Sequence, residues 1–232
     1  MIASRPPFEA VLFDLDDTLY AQAEWLSGAW DVVAARAEEG GGPPAAVVRG
    51  ALEAVAAEGT DRGRIIDRAL AQVDSAGVAV APLVEAFRSH APDRLRPYPG
   101  VEHGLALLRG RGIGLGLVTD GDVIIQHAKL RALGLVDAFD VVVFSDELGR
   151  EHRKPDPLPF RNAVAGLGVE AETAVYVGDR PDKDVDGAAA SGLRVIRVRT
   201  GEYSAAPNRI EPWADVADVA AAFRGLLDSL DG

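Results

Sequence analysis

Short runs of apolar residues recur along the chain, separated by longer segments whose apolar residues have helical spacing. The first run occupies residues 10–15, and four more occupy residues 113–119, 139–145, 173–178 and 193–199. Runs without polar alternation are typical of strands buried on both faces of a parallel sheet. Helical segments are predicted near residues 123–133, 157–167, 184–191 and 215–230. This alternation predicts an α/β fold with a Rossmann-like core, a parallel five-stranded sheet and right-handed crossovers.

Residues 21–96 depart from the alternation. This segment is rich in alanine, glutamate and arginine, and its apolar residues recur at helical spacing. A Gly-Gly-Gly-Pro-Pro break at residues 40–44 divides it, and Pro-Tyr-Pro-Gly at residues 97–100 follows it. We predict that residues 21–96, called the insert below, form an α-helical subdomain within a core domain made of residues 1–20 and 97–232.

Composition and net charge restrict the site chemistry of the chain and the classes of partner that it is expected to bind. The 232 residues include 24 basic and 36 acidic side chains, a formal charge of −12, and no cysteine. Without cysteine the chain has no disulfide, no thiolate nucleophile and no zinc–thiolate site. The acidic excess, with no basic run, predicts no nucleic-acid partner. Because no signal-peptide pattern and no membrane-spanning apolar run occur, we expect no membrane partner and a cytoplasmic location. A monomer and a homodimer both remain open.

Polar side chains follow the predicted strands, where the carboxyl ends of parallel strands bring ligand-binding residues together. They are Asp14 and Asp16 after the first strand, Thr119 and Asp120 at the second, Lys154 in the loop after the third, and Asp179 with Asp184 after the fourth. Carboxylates gathered without cysteine or histidine favour Mg²⁺. A hydroxyl group and an ammonium group suit a phosphoryl group, and aspartate can accept one covalently. The residues therefore predict a Mg²⁺-dependent phosphoryl-transfer site.

Four short motifs in this order resemble those of the haloacid dehalogenase (HAD) superfamily. They read Asp14-Leu-Asp-Asp-Thr18, Thr119-Asp-Gly, Lys154-Pro-Asp-Pro and Gly178-Asp179 followed by Asp184. The resemblance covers essentially the whole chain outside the insert, and the insert resembles the helical cap of the first subfamily. The resemblance implies a HAD-like fold with a phosphatase activity that uses Mg²⁺.

The resemblance also implies a role for each matching residue. Asp14 is the expected nucleophile that forms an aspartyl-phosphate, and Asp16 the expected acid for the leaving group and base for the attacking water. Thr119, Asp120 and Lys154 are expected around the transferring phosphoryl group. The expected metal ligands are Asp14, the backbone carbonyl of Asp16, Asp179 and Asp184. Because other carboxylates crowd Asp16, we expect its protonated form to be favoured.

Two residues depart from the common HAD pattern. Asp120 stands where asparagine is common, so it either turns away from an anionic substrate or accepts a hydrogen bond from a substrate hydroxyl. Arg180 stands where a small hydroxyl residue or asparagine is frequent. It either pairs with Asp182 or reaches the substrate, and the sequence does not choose between these.

The expected function is hydrolysis of a small phosphorylated metabolite, such as a sugar phosphate or nucleotide. An acidic residue at Asp16 favours a phosphate monoesterase or a phosphomutase over a dehalogenase, because an alkoxide leaving group needs a proton. A phosphomutase is the nearest alternative. A phospho-receiver signalling module is about half this length, and a non-catalytic binding module would not require the full motif set.

Overall fold

A parallel six-stranded sheet forms the centre of the computed structural model, which describes residues 7–231. The strands are β1 (Ala10–Phe13), β2 (Gly114–Thr119), β3 (Val141–Phe144), β4 (Ala174–Gly178), β5 (Arg194–Val198) and β6 (Ala214–Val216). The first five confirm the predicted strands, with slightly shorter bounds. The predicted total of five was wrong, because β6 adds an edge strand at the start of the segment assigned to the last helix. Its three residues, Ala-Asp-Val, are too short to give an apolar run.

The strand order places β1 at the centre of the sheet. The order is β3-β2-β1-β4-β5-β6, and every neighbouring pair is parallel. Phe13, the last residue of β1, lies level with Leu117 of β2 and Val177 of β4. The residues that follow these three strands therefore lie at one edge of the sheet. From β1 the chain adds β2 and β3 on one side and then β4, β5 and β6 on the other, so the order of the strands changes direction at β1. Such a switch point is where open α/β sheets bind ligands.

Nine α-helices accompany the sheet within residues 7–231. They are α1 (Gln22–Glu39), α2 (Ala45–Ala56), α3 (Ile65–Leu70), α4 (Val80–Ser89), α5 (Val101–Gly110), α6 (Val123–Leu133), α7 (Pro157–Leu167), α8 (Asp186–Ala190) and α9 (Val219–Asp231). Helices α6 and α7 have the predicted bounds. Asp156 caps α7 by accepting a hydrogen bond from the Leu158 amide at 2.8 Å, and Pro157 occupies its first position. Helix α5 was not predicted separately.

Each face of the sheet carries an apolar core, and the insert has a third. Phe13 packs against Phe223 of α9 on one face, with ring centroids 5.5 Å apart. On the other face Phe160 of α7 packs edge-to-face against Tyr176 of β4 at 5.1 Å. The insert's own cluster is built from side chains of α1 to α4 such as Leu52. An independent core accords with a separate subdomain, although its boundaries stay a prediction.

The chain passes from the core into the insert and back at one place. The Tyr98 amide donates to the carbonyl of Leu19 at 2.8 Å, and Tyr20 bridges to Pro97, so the two connecting strands run side by side. Residues 1–6, on which part of the targeting prediction depended, and Gly232 lie outside the described residues. Within residues 7–231, none of the helices combines the length and apolarity needed to cross a membrane.

Candidate active site

A cavity of about 490 Å³ lies between the carboxyl edge of the sheet and the insert. Six of the predicted site residues line it, namely Asp14, Asp16, Thr119, Asp120, Lys154 and Asp179. The seventh, Asp184, is fully buried and reaches the site through its contact with Lys154. Residues more than 160 positions apart in sequence thus meet at one edge of the sheet. Their individual roles stay predictions.

Three carboxylates form the buried centre of the site. Asp14, Asp179 and Asp184 are 6%, 2% and 0% exposed, and each offers an oxygen within 4.8 Å of the others. We call these three residues the acidic cluster. Asp14 follows β1 and is tied to the neighbouring strand by its amide, which donates to the Val177 carbonyl at 2.9 Å. The cluster is therefore anchored to the centre of the sheet.

Lys154 bridges two members of the acidic cluster. Its ammonium donates to Oδ1 of Asp14 at 2.5 Å and to Oδ1 of Asp184 at 2.7 Å. It also lies 3.2 Å from the hydroxyl of Tyr176, which in turn donates to Asp184 at 3.0 Å. Tyr176 was not predicted as a site residue, because it lies inside an apolar strand, where an aromatic residue is indistinguishable from an ordinary core residue. Its hydroxyl group satisfies part of the buried polar network.

Burial and mutual repulsion oppose ionisation of the cluster. Burial raises the pKa of Asp14 to about 7, with Lys154 acting in the opposite direction and Asp184 adding to the rise. Burial, followed by the charges of Asp184 and Asp14, raises the pKa of Asp179 well above its ordinary value. Lys154 responds oppositely: burial alone would lower its pKa, but Asp14 and Asp184 hold it well above the usual range. The carboxylates thus have more negative charge than one ammonium compensates.

The donor set fits a divalent cation. With all three carboxylates ionised, one Lys154 ammonium leaves 3 − 1 = 2 uncompensated negative charges in a buried space. Uncompensated buried charge is costly, so a cation of charge +2 relieves it. The ligand atoms are all carboxylate oxygens, the type that Mg²⁺ prefers. The buried aspartates are therefore suited to hold a metal ion.

Gly178 allows Asp184 to approach the end of β4. A Cβ atom at residue 178 would lie only 2.5 Å from Cγ of Asp184, so any larger residue would displace that carboxylate. A π-helical turn over Pro181–Val185 then carries Asp184 back under the strand. The backbone amide of Arg180 donates to Oδ2 of Asp184 at 2.9 Å and fixes its orientation. The close approach of Asp184 therefore explains why the Gly178-Asp179 motif begins with glycine.

The Asp16 side chain is surrounded by hydrogen-bond donors and a lysine, whereas neighbouring carboxylates were expected around it. Its carboxylate accepts two hydrogen bonds from Lys129, at 2.7 and 2.8 Å, one from the Tyr20 hydroxyl at 2.5 Å and one from Gln126 at 3.0 Å. Burial favours a raised pKa for Asp16, but the Lys129 charge and these hydrogen bonds lower it below its ordinary value. The expectation of a protonated Asp16 was therefore wrong. Sequence spacing gave no sign that Lys129, 113 residues away, would supply a counter-charge.

The second motif supports the site from beside the cluster. Thr119 is 1% exposed, and its hydroxyl oxygen accepts a hydrogen bond from Gln126 at 2.5 Å. Asp120 accepts from the Ser145 hydroxyl at 2.7 Å, the Lys154 amide at 3.0 Å and the Lys183 ammonium at 3.2 Å. Of the two alternatives for Asp120, these contacts favour the one in which the carboxylate turns away from the substrate, because three donors of the protein already engage it.

Asp17 makes the turn from β1 towards the insert. It adopts a left-handed backbone conformation, with φ 58°, and its carboxylate accepts from the Gln22 amide at 2.9 Å. Gly201 packs directly on it: a Cβ atom there would lie 2.0 Å from Cγ of Asp17, and its φ of +64° also requires glycine. The turn therefore depends on a loop that follows β5.

Two contacts join the insert to the core at the mouth of the cavity. Arg180 donates to Asp61 at 2.8 Å and to Asp182 at 2.9 Å, so the sequence alternative in which Arg180 pairs with Asp182 is the one observed. Beside it, the Thr60 hydroxyl donates to Glu202 at 2.7 Å. These contacts close the insert over the acidic cluster on one side.

Comparison with known proteins identifies the family of the chain. The sequence model of the haloacid dehalogenase-like hydrolase family matches residues 8–192. The chain is 39% identical over 201 residues to the glyceraldehyde 3-phosphate phosphatase of Methanopyrus kandleri, covering 84% of this chain and 85% of that protein. It is 37% identical over 209 residues to the phosphoglycolate phosphatase of Rhodospirillum rubrum, covering 86% and 82%.

Solved structures share the fold. A HAD phosphatase from Thermococcus onnurineus superposes with a TM-score of 0.68 at 25% identity, covering 95% of this chain and 98% of the other. A 2-haloacid dehalogenase from Pseudomonas syringae pv. Tomato superposes with a TM-score of 0.65 at 27% identity, with the same coverage. Similarity in fold therefore extends to proteins whose names indicate two different reactions.

Proposed function

The chain belongs to the haloacid dehalogenase-like hydrolase family, and we propose that it is a Mg²⁺-dependent phosphatase acting on a small phosphorylated metabolite. The observation that carries the proposal is that the acidic cluster, Lys154 and Asp16 meet at one cavity. A buried carboxylate nucleophile, a fixed ammonium and a second carboxylate are the groups that transfer of a phosphoryl group to water requires.

The reaction has two halves in this proposal. In the first, an oxygen of Asp14 attacks phosphorus, the ester P–O bond breaks, and the departing oxygen takes a proton from Asp16, whose protonated form the negative charge of the bound phosphate favours. In the second, Asp16 takes a proton from water as that water attacks phosphorus, and the Asp14 carboxylate is released with inorganic phosphate. Lys154 contacts Oδ1 of Asp14 at 2.5 Å, which leaves Oδ2 for the attack. Its charge also stabilises the negative charge that develops on the phosphoryl oxygens.

The proposed metal ligands are Asp14, Asp179, Asp184 and the backbone carbonyl of Asp16. When bound, Mg²⁺ supplies positive charge to the phosphoryl oxygens and orients them. The two uncompensated negative charges of the cluster support this assignment. Thr119 and the backbone beside Asp120 complete the proposed surroundings of the phosphoryl group.

Asp16 favours a phosphatase over a dehalogenase. A halide departs without a proton, whereas an alkoxide from a phosphate monoester is a poor leaving group unless it is protonated. Three relatives named as phosphatases support the same choice, and their names give glyceraldehyde 3-phosphate, phosphoglycolate and phosphoserine as substrates. We propose that the substrate of this chain is likewise a small phosphate monoester, which a cavity of about 490 Å³ has room to hold.

The experiment measures phosphate release from a panel of monoesters that includes those three substrates and p-nitrophenyl phosphate. Each is assayed by kcat/KM with Mg²⁺ and with a chelator. We expect hydrolysis that requires Mg²⁺ and is abolished by Asp14→Asn. An exposed aspartate on α9 supplies the matched control, Asp228→Asn, which should leave kcat/KM unchanged. Full turnover by Asp14→Asn would refute the covalent mechanism.

A second measurement separates the phosphatase from the phosphomutase. The same enzyme is incubated with a hexose 1,6-bisphosphate and a hexose monophosphate, and the products are separated. The proposal predicts that inorganic phosphate accumulates. Transfer to the monophosphate faster than to water would instead identify a phosphomutase.

A further inference from the structure

Lys129, which is buried, and Asp16, which is partly buried, form a second charge pair in the cavity, separate from Lys154 and the acidic cluster. The Lys129 ammonium reaches both oxygens of Asp16, and its side chain is only 4% exposed. Within residues 7–231, Asp16 is the only hydrogen-bond acceptor of this ammonium. A buried lysine paired with a single carboxylate has little freedom to move, because separation would leave its ammonium charge buried and unpaired.

Three side chains together determine the orientation of Asp16. Lys129 and Gln126 lie three residues apart on α6, so both project from one face of the helix towards the cavity. Tyr20 approaches from the segment after β1 and donates to the oxygen that also faces Lys129. Rotation of the carboxylate would break at least two of these hydrogen bonds at once. Asp16 is therefore clamped, with Lys129 contacting both of its oxygens.

The insert holds the other side of Lys129. Its ammonium lies 4.8 Å from the centre of the Trp25 ring, which belongs to α1 and is 2% exposed. Trp25 packs edge-to-face on Phe87 of α4, with ring centroids 5.0 Å apart. A cation over an aromatic face is attracted to it, and more strongly where water is excluded. The position of Lys129 is thus fixed from both the core and the insert.

We propose that Lys129 is a positioning residue that aims the Asp16 carboxylate at the water attacking the phosphorylated Asp14. The inference rests on the proposed function. In the step concerned, the water oxygen forms a bond to phosphorus while one water proton passes to Asp16. The bond between phosphorus and the Asp14 oxygen breaks, and its electron pair returns to the Asp14 carboxylate. A carboxylate free to rotate would spend less time in the orientation that accepts a proton from this water, so hydrolysis of the intermediate would slow.

The test is Lys129→Met, which keeps the length and apolar character of the side chain and removes the ammonium. With p-nitrophenyl phosphate the departing group needs no proton, so kcat/KM, which reports formation of the intermediate, should change by less than about threefold. Hydrolysis of the intermediate should slow by about 100-fold, the scale of a lost general base, and kcat should fall with it. Rapid mixing should then show a burst of p-nitrophenolate, and acid-quenched protein should carry one phosphoryl group.

Lys183→Met is the matched control. Lys183 lines the same cavity and pairs with Asp120 at 3.2 Å, so the variant removes one positive charge without touching Asp16. It should lower kcat and kcat/KM together and accumulate no phosphorylated protein. If Lys129→Met does not fold, Lys129→Gln serves in its place and should accumulate the same species.

Two results would overturn the role of Lys129 while the wild-type enzyme remains active. One is an equal loss in kcat and kcat/KM without a burst, which indicates a general structural effect. The other is the same burst in Lys183→Met, which indicates a response to charge alone. A wild-type chain that hydrolyses no monoester overturns the proposed function itself.

Discussion

Asp14→Asn should remove part of the pH dependence of stability in the metal-free chain. Burial raises the pKa of Asp14 from 3.8 to about 7, so the folded chain holds this proton more tightly than the unfolded chain does. At about 1.4 kcal/mol per pKa unit, ionising Asp14 costs the folded state about 4 kcal/mol. This contribution of Asp14 to the free energy of unfolding is lost as the pH rises from about 4 to about 7, and it changes no further above that interval.

The asparagine variant carries no ionisable group at this position and should lack that part of the slope. In the presence of a chelator, it should match the wild type near pH 4 and exceed it by up to about 4 kcal/mol near pH 8. Its Oδ1 can still accept from Lys154, so the contact that anchors the ammonium is retained. With saturating Mg²⁺ the difference should shrink, because the cation neutralises the ionised cluster of the wild type and stabilises it by mass action.

The assay is urea unfolding followed by circular dichroism at several pH values, with chelator and with Mg²⁺. Asp228→Asn controls for the loss of one exposed carboxylate. If the free energies of unfolding of the wild type and Asp14→Asn run parallel from about pH 4 to about pH 7, Asp14 does not have the raised pKa. The same conclusion follows if the variant is the less stable protein near pH 8 without metal.

Three further substitutions test the parts of the site. Gly178→Ala places a methyl group 2.5 Å from Cγ of Asp184, so Mg²⁺ affinity should fall about 10- to 100-fold by titration calorimetry, and an unchanged affinity would contradict the steric argument. Lys154→Met removes the ammonium from the cluster and should lower kcat for p-nitrophenyl phosphate about 100-fold or more, whereas a change below tenfold would contradict its role. Asp61→Asn breaks a partly exposed ion pair with Arg180, worth up to about 1 kcal/mol, and should raise KM by at most about fivefold with little change in kcat. A fall in kcat without a change in KM would contradict that assignment.

The sequence predicted the residues whose position follows from strand ends. Asp14 and Thr119 emerge next to each other because β1 and β2 are adjacent, parallel and buried, and an apolar run ending in polar residues reveals each strand end. The start of α7 could be predicted in the same way, because aspartate before a helix and proline at its first position are local preferences that do not depend on the rest of the fold. Predictions of this kind need no knowledge of which surfaces pack together.

The missed residues act through contacts that only the packed fold creates. Lys129 lies on a helix whose apolar spacing says nothing of a carboxylate 113 positions earlier in the chain. The sequence around Tyr176 indicates a core residue. Its hydroxyl group can donate to Asp184 only because the chain brings Asp184 back beneath β4. The edge strand β6 forms because β5 offers unpaired backbone groups, which a three-residue segment satisfies without a pattern of its own.

The three lysines of the chain show how an acidic protein can accept an anionic substrate. Lys129, Lys154 and Lys183 all line the cavity, and each contacts at least one aspartate there. Arginine supplies the other 24 − 3 = 21 basic residues. An ammonium is a compact charge that fits between closely spaced carboxylates, whereas a planar guanidinium needs a wider space. Attraction of a phosphate ester by a chain of charge −12 must therefore be local, and the cavity is where these compact cations are concentrated.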